Sequence, residues 1–234
     1  MTALERLVEL RNPSDAEFLQ RFFKTGAGQY GEGDRFLGIR VPALRKLARD
    51  LRGMPLPDVA TLLDDDWHEA RLLALMLLVD AYDRGDERTR ETIFKLYLAK
   101  RGRVNNWDLV DASASYIAGR HLSARPRDQL IRLARSKSLW DRRIAIVATH
   151  YFIRQDDFAD TLAIAALLLR DPEDLMHKAT GWMLREVGKR DVAPLDRFLD
   201  AHAHEMPRTM LRYAIERHTP ARRKHYMASG RRRP

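Results

Sequence analysis

The chain has 234 residues, with 42 Lys and Arg against 33 Asp and Glu, a formal net charge of +9, no cysteine and 45% hydrophobic residues. Without cysteine there can be no disulfide framework, thiolate nucleophile, iron–sulfur cluster or Cys-based zinc site, whereas the apolar content suffices for one large domain or two small ones. MTALERLVEL at the N-terminus carries Glu5 and Glu9 inside its apolar run, unlike a signal peptide, and the stretch 162–169 falls short of the ~20 apolar residues of a membrane span. The expectation is a soluble, cytoplasmic monomer with no membrane partner.

Helical periodicity runs through the sequence, and no Asn-Gly or Asp-Gly hairpin turn occurs. In chain order the pattern predicts helices over 2–11, 14–24, 41–53, 56–64, 67–84, 86–101, 106–120, 125–136, 139–155, 157–170, 173–190, 192–204, 207–217 and 219–228. Pro42, Pro126 and Pro172 fall in first turns, where a missing N–H costs nothing, and Ser14 and Asp191 suit N-caps. Short connections force neighbouring helices antiparallel, and from 56 to 204 they pair with a period of roughly 35–40 residues, as in HEAT or armadillo arrays. Helices 67–84 and 139–155 are apolar on more than one side, as an internal layer requires. The expected fold is all-α: an α-solenoid of antiparallel, HEAT-like helical hairpins with a concave basic face, a closed helical bundle being the alternative. A single domain would span 1–228, followed by a mobile basic tail, 229–234.

The glycine-rich segment 26–39 matches neither a Walker nor a dinucleotide pattern and no strand precedes it, so it reads as a surface loop able to touch a backbone phosphate. The basic excess points to an acidic partner, nucleic acid being the commonest.

Three helices carry candidate chemistry. Trp107 and Asp111 are i and i+4 at the start of 106–120, and the same face continues through Ala114, Ser115 and Ala118, an aromatic plane and a carboxylate over a shallow floor. The bland reading makes Trp107 core and Asp111 a solvated acid. On 139–155, Trp140, Arg143, Val147, His150 and Arg154 share one sector, which reads as a polar phosphate-holding groove or as salt bridges to a neighbouring helix. On 173–190, Lys178, Trp182, Arg185 and Lys189 form one stripe, either a nucleic-acid surface with a ring among cations or a solvated charged face. The sequence 201–205 (AHAHE) lacks zinc-protease spacing, and Asp64–Asp66 is explained by capping, so no metal is expected.

Four stretches, TGAGQYGEGDRFLGIRVPALRKLARDL, NNWDLVDASA, LWDRRIAIVATHYFI and HKATGWMLREVGKRD, together resemble the bacterial DNA alkylation repair glycosylases of the AlkD type, which are built from HEAT-like repeats. The resemblance runs from about residue 15 to about residue 220. It implies hydrolysis of the N-glycosidic bond of purines alkylated at N3 or N7, as base excision repair of double-stranded DNA at the nucleoid, with no cofactor. It implies Asp111 as the catalytic carboxylate, Trp107 and Trp182 as active-site tryptophans flanking the deoxyribose, Arg143 rather than Arg142 as a DNA contact, and Tyr30 as the N-terminal tyrosine. Lys178, Arg185, Lys189, His150 and Arg154 complete the expected DNA-binding set. A non-catalytic nucleic-acid-binding repeat module and a protein-interaction solenoid are the alternatives.

Overall fold

The computed structural model describes residues 1–229, and among these the regular elements are helices, with one isolated parallel bridge between Arg35 and Trp67. This is the expected all-α class. The expected tail lies outside the described residues except for Ser229, which ends the last helix. No helix among the described residues is long and apolar enough to cross a membrane.

The chain divides into two compact units, Met1–Ser113 and Ala114–Pro234. The first holds α1 (Ala3–Glu9), α2 (Pro13–Phe22), α3 (Val41–Asp50), α4 (Leu56–Leu63), α5 (His68–Arg84), α6 (Glu87–Ala99) and α7 (Trp107–Asp111). The second holds a π-helical turn (Ser115–Gly119), then α8 (Arg120–Leu122), α9 (Asp128–Ala134), α10 (Leu139–Ala148), α11 (His150–Ile153), α12 (Ala159–Leu167), α13 (Asp174–Arg190), α14 (Val192–His202), α15 (Arg208–Ala214) and α16 (Pro220–Ser229).

Local chemistry sets the boundaries. Thr2 and Glu5 form a reciprocal capping box on α1, and Asp191 caps α14 through the Ala193 N–H. The start of α2 differs from expectation: Asn12 accepts from the Asp15 N–H, Pro13 takes the first helical position, and Ser14 lies inside the helix.

Each unit is organised around one 17-residue helix. In the first, α5 packs on α1, α3, α4, α6 and α7; in the second, α13 packs on α10, α11, α12, α14 and α15. Buried residues run round every side of α5 from His68 to Leu78, and α10 is buried continuously from Arg143 to Ala148, as internal helices require.

Two expected helices are divided. The Ser113 hydroxyl donates to the Leu109 carbonyl at 2.6 Å, and the Thr149 hydroxyl donates to the Ile146 carbonyl at 2.7 Å, so each competes for a helical acceptor at the break. Past the first break, the Gly119 N–H reaches the Ala114 carbonyl five residues back, at 2.9 Å. Gly119 lies so close to α10 that a Cβ would stand 2.1 Å from the Ala148 oxygen.

Segment 26–39 is irregular as expected, but only its first half is a surface loop. Asp34, Phe36, Leu37, Gly38 and Ile39 are buried. The Glu69 carboxylate accepts from the Leu37, Gly38 and Ile39 N–H groups at 2.9, 2.8 and 3.0 Å, replacing the water those donors lose. Gly38 has φ +85° and would place a Cβ 2.0 Å from the Asn12 carbonyl oxygen, so both the backbone conformation and the space demand glycine.

Candidate functional site

In the first unit, Trp107 and Asp111 open and close the five-residue α7, one turn apart, and both are half-buried. Asn106 starts this helix by accepting from the Trp107 N–H at 2.8 Å. The indole stacks on Phe23, with centroids 5.1 Å apart and planes inclined by 19°, and meets Phe22 edge-on at 6.0 Å. The Tyr30 hydroxyl donates to the Phe22 carbonyl at 3.5 Å, so this loop residue stands beside the same aromatic group. Trp107 and Asp108 also line a groove of about 490 Å³, rimmed by the exposed Phe18, Phe22 and Val41.

The shallow floor expected from Ala114, Ser115 and Ala118 is absent. All three are buried; α7 ends at Asp111 and residues Ser115–Gly119 form a π-helical turn.

Sequence reasoning missed the charge cluster beneath α7. His68 places Nδ1 2.8 Å from an Asp34 oxygen and Nε2 2.8 Å from an Asp108 oxygen, with the side chains of His68 and Asp34 each only 2% exposed. Both ring nitrogens therefore donate to carboxylates. Burial by itself pulls the His68 pKa down, but the charges and hydrogen bonds of Asp108 and Asp34 outweigh it and raise the value to about 9. Asp34 shows the converse: burial raises it, while bonds and charges from His68 and Arg71 hold it at about 2. Asp34 also accepts from Asn106 at 3.2 Å. A signal was present in the sequence, since His68, Glu69 and Arg71 open a helix read as apolar on more than one side, and buried charges require partners.

In the second unit, Trp182 is half-buried on α13, 5.8 Å from the His150 ring, and its indole N–H donates to Glu186 at 3.1 Å. Glu186, a residue not singled out from the sequence, also takes Lys189 at 2.7 Å and lies 3.6 Å from Arg185. Arg185 further pairs with Glu216, and Lys178 pairs with Asp174 at 2.7 Å. The expected stripe of cations is thus present, each member already facing a carboxylate. Burial, together with the Arg154 and Lys189 charges, lowers the His150 pKa below its usual value.

Arg154 is exposed, donates to the Ser115 hydroxyl at 3.2 Å and lies over the Tyr116 and Tyr151 rings. Arg143 is 5% exposed and donates to the Leu175 carbonyl at 3.0 Å, tying α10 to α13. Its neighbour Arg142 grips Asp171 with two bonds, at 2.6 and 3.2 Å.

The sequence matches the family model of the DNA alkylation repair enzymes over residues 3–218. No curated protein matches it. Among solved structures, it is similar to a predicted DNA alkylation repair enzyme from Enterococcus faecalis, with 16% identity, a TM-score of 0.67, and coverage of 90% of this chain and 97% of that one. At that identity the likeness concerns the fold, whereas the family match spans nearly the whole sequence. The chain belongs to the DNA alkylation repair enzyme family.

Proposed function

We propose that the protein is a DNA glycosylase that hydrolyses the N-glycosidic bond of N3- or N7-alkylated purines in duplex DNA, acting as a monomer in base excision repair. The observation that carries this reading is the pairing of an indole, Trp107, and a carboxylate, Asp111, one turn apart at half-buried positions on one short helix.

An N3- or N7-alkylated purine is cationic and leaves with the bonding electrons without prior protonation. What the protein must supply is stabilisation of the positive charge that develops on the sugar as the C1′–N bond lengthens. An ionised Asp111 supplies it, and accepts or directs the proton of the water that adds to C1′. The π face of Trp107 attracts the same cation. Trp182 is proposed as the second indole at the sugar.

Lys178, Arg185, Lys189 and Arg154 are proposed to hold phosphates, exchanging their present carboxylate or hydroxyl partners for phosphate oxygens. Arg143 would have to release the Leu175 carbonyl to do so. His150, with its lowered pKa, would act as a neutral hydrogen-bonding group, and Tyr30 as a contact beside the lesion.

The test is release of 7-methylguanine from a methylated duplex by the parent and by Asp111→Asn. Release by the parent, with a loss of about 100-fold or more in the variant at unchanged duplex binding, supports the reading. Equal rates in both, or no release by a parent that still binds duplex, reject it. Uracil, a neutral and poor leaving group, is not released.

A further inference from the structure

The buried cluster under α7 has no role in the chemistry just described, yet it is joined to Trp107 by three separate routes. Asn106, immediately before the indole, caps the Trp107 N–H with its side-chain oxygen and donates to Asp34 with its amide nitrogen. Asp108, immediately after it, accepts from His68 Nε2 with one oxygen and from the Leu109 N–H with the other, at 2.9 Å. The ring itself rests on Phe23. Phe23 stacks on Phe36 at 5.0 Å, Phe36 stacks on the His68 imidazole at 4.4 Å, and Phe23 also meets that imidazole at 5.1 Å. Both backbone neighbours of Trp107 and the plane of its ring therefore end on one side chain.

We propose that His68, held between Asp34 and Asp108, is a positioning residue for Trp107, setting the rotation of α7 and the plane of the indole for the excision reaction. The proposal rests on the glycosylase reading for its reaction, though not for its geometry. Nonpolar packing alone would hold a short helix in place at lower desolvation cost, but it is tolerant of rotation about the helix axis; bonds from two fixed carboxylates to two fixed ring nitrogens are not. The charged groups facing the imidazole are Asp34 from the irregular segment and Asp108 from α7, with Arg71 reaching Asp34 from α5 and Glu69 beside it holding the backbone of residues 37–39. Asp34 and His68 are sealed from solvent, so neither can touch DNA directly.

The four tryptophans supply a readout independent of activity: Trp67 and Trp107 lie in the first unit, Trp140 and Trp182 in the second. The protein is labelled with 5-fluorotryptophan and its ¹⁹F lines are assigned by single Trp→Phe variants. His68→Gln removes the ring and its charge. Asp108→Asn keeps size and the cap on Leu109 while allowing only a neutral imidazole to bond to it, and serves alone if His68→Gln loses the fold of the first unit.

The expected result in Asp108→Asn is a shifted and broadened Trp107 line with the Trp140 and Trp182 lines in place. Single-turnover release of 7-methylguanine should fall about 10- to 100-fold at unchanged duplex affinity. A Trp107 line that stays put in a folded variant overturns the proposal, as does a displaced line with an unaltered release rate. A parent inactive on methylated duplex would strike the glycosylase reading instead, and the fluorine spectrum would still decide whether His68 sets Trp107.

Discussion

The two central helices, α5 and α13, are equal in length and central in their units, yet they use charge in opposite ways. On α5 the charged residues His68, Glu69 and Arg71 are all under 3% exposed and turned inward, where they fasten an irregular segment and the start of α7. On α13 the cations Lys178, Arg185 and Lys189 stay at least partly in solvent, each beside a carboxylate. A buried pair is expensive to form and more expensive to break by halves, whereas a surface pair is held by only ~0–1 kcal/mol and can be traded for a phosphate. The start of α5 commits its charge to fixed geometry, whereas the cation stripe of α13 keeps its charge exchangeable.

The sharpest way to break this contrast is Asp34→Ala, which leaves His68 and Arg71 buried without their shared carboxylate. A loss of about 3–5 kcal/mol is expected from the first unit, read by urea unfolding on the Trp67 and Trp107 fluorine lines. A loss below about 1 kcal/mol would show that the cluster is no more than a surface-type pair.

Next in size is the pH response. The folded pKa of His68, about 9, lies above its ordinary 6.5, so its stabilisation is complete below 6.5 and lost as pH rises through 9. Asp34, held at about 2 against an ordinary 3.8, contributes stability present above 3.8 and lost as pH falls through 2. Raising pH from 6.5 to above 9 should therefore cost the first unit on the order of 3 kcal/mol. Unfolding curves on the same two lines at each pH check this, and a flat profile would contradict it.

The smallest stability effect belongs to Lys189→Ala, expected to change unfolding by less than about 1 kcal/mol because the Lys189 side chain is exposed and Glu186 keeps Trp182 and Arg185 as partners. Its effect should appear in binding: weaker duplex affinity and a salt dependence reduced by about 0.9 in log–log slope, as for one lost phosphate contact. An unchanged slope would remove Lys189 from the proposed DNA surface.

Much of the fold was legible because helical periodicity is a local property. The helices 41–53, 56–64, 67–84, 173–190 and 192–204 appear as α3, α4, α5, α13 and α14 with ends shifted by only a few residues. The apolar character of 67–84 and 139–155 on more than one side marked internal helices. At the candidate site, the i, i+4 relation of Trp107 and Asp111 needed nothing beyond one turn of helix, and the stripe 178–189 needed three.

What periodicity could not register was competition for helical hydrogen bonds and pairing across long sequence separations. At both breaks a hydroxyl, that of Ser113 or Thr149, takes a backbone acceptor, and the residues expected as a floor beside Asp111 are buried. The partners of His68 lie 34 and 40 residues away, and the carboxylate on Arg185 lies 31 away, so only the folded chain decides which charges meet. The sequence by itself determined which segments are helical, which faces are apolar and which residue types stand one turn apart, because these follow from local backbone geometry. Tertiary structure alone decided that the cations of α13 already face carboxylates and that the indole on α7 rests on Phe23, which in turn meets a buried imidazolium, because burial and long-range pairing set the cost of each charge.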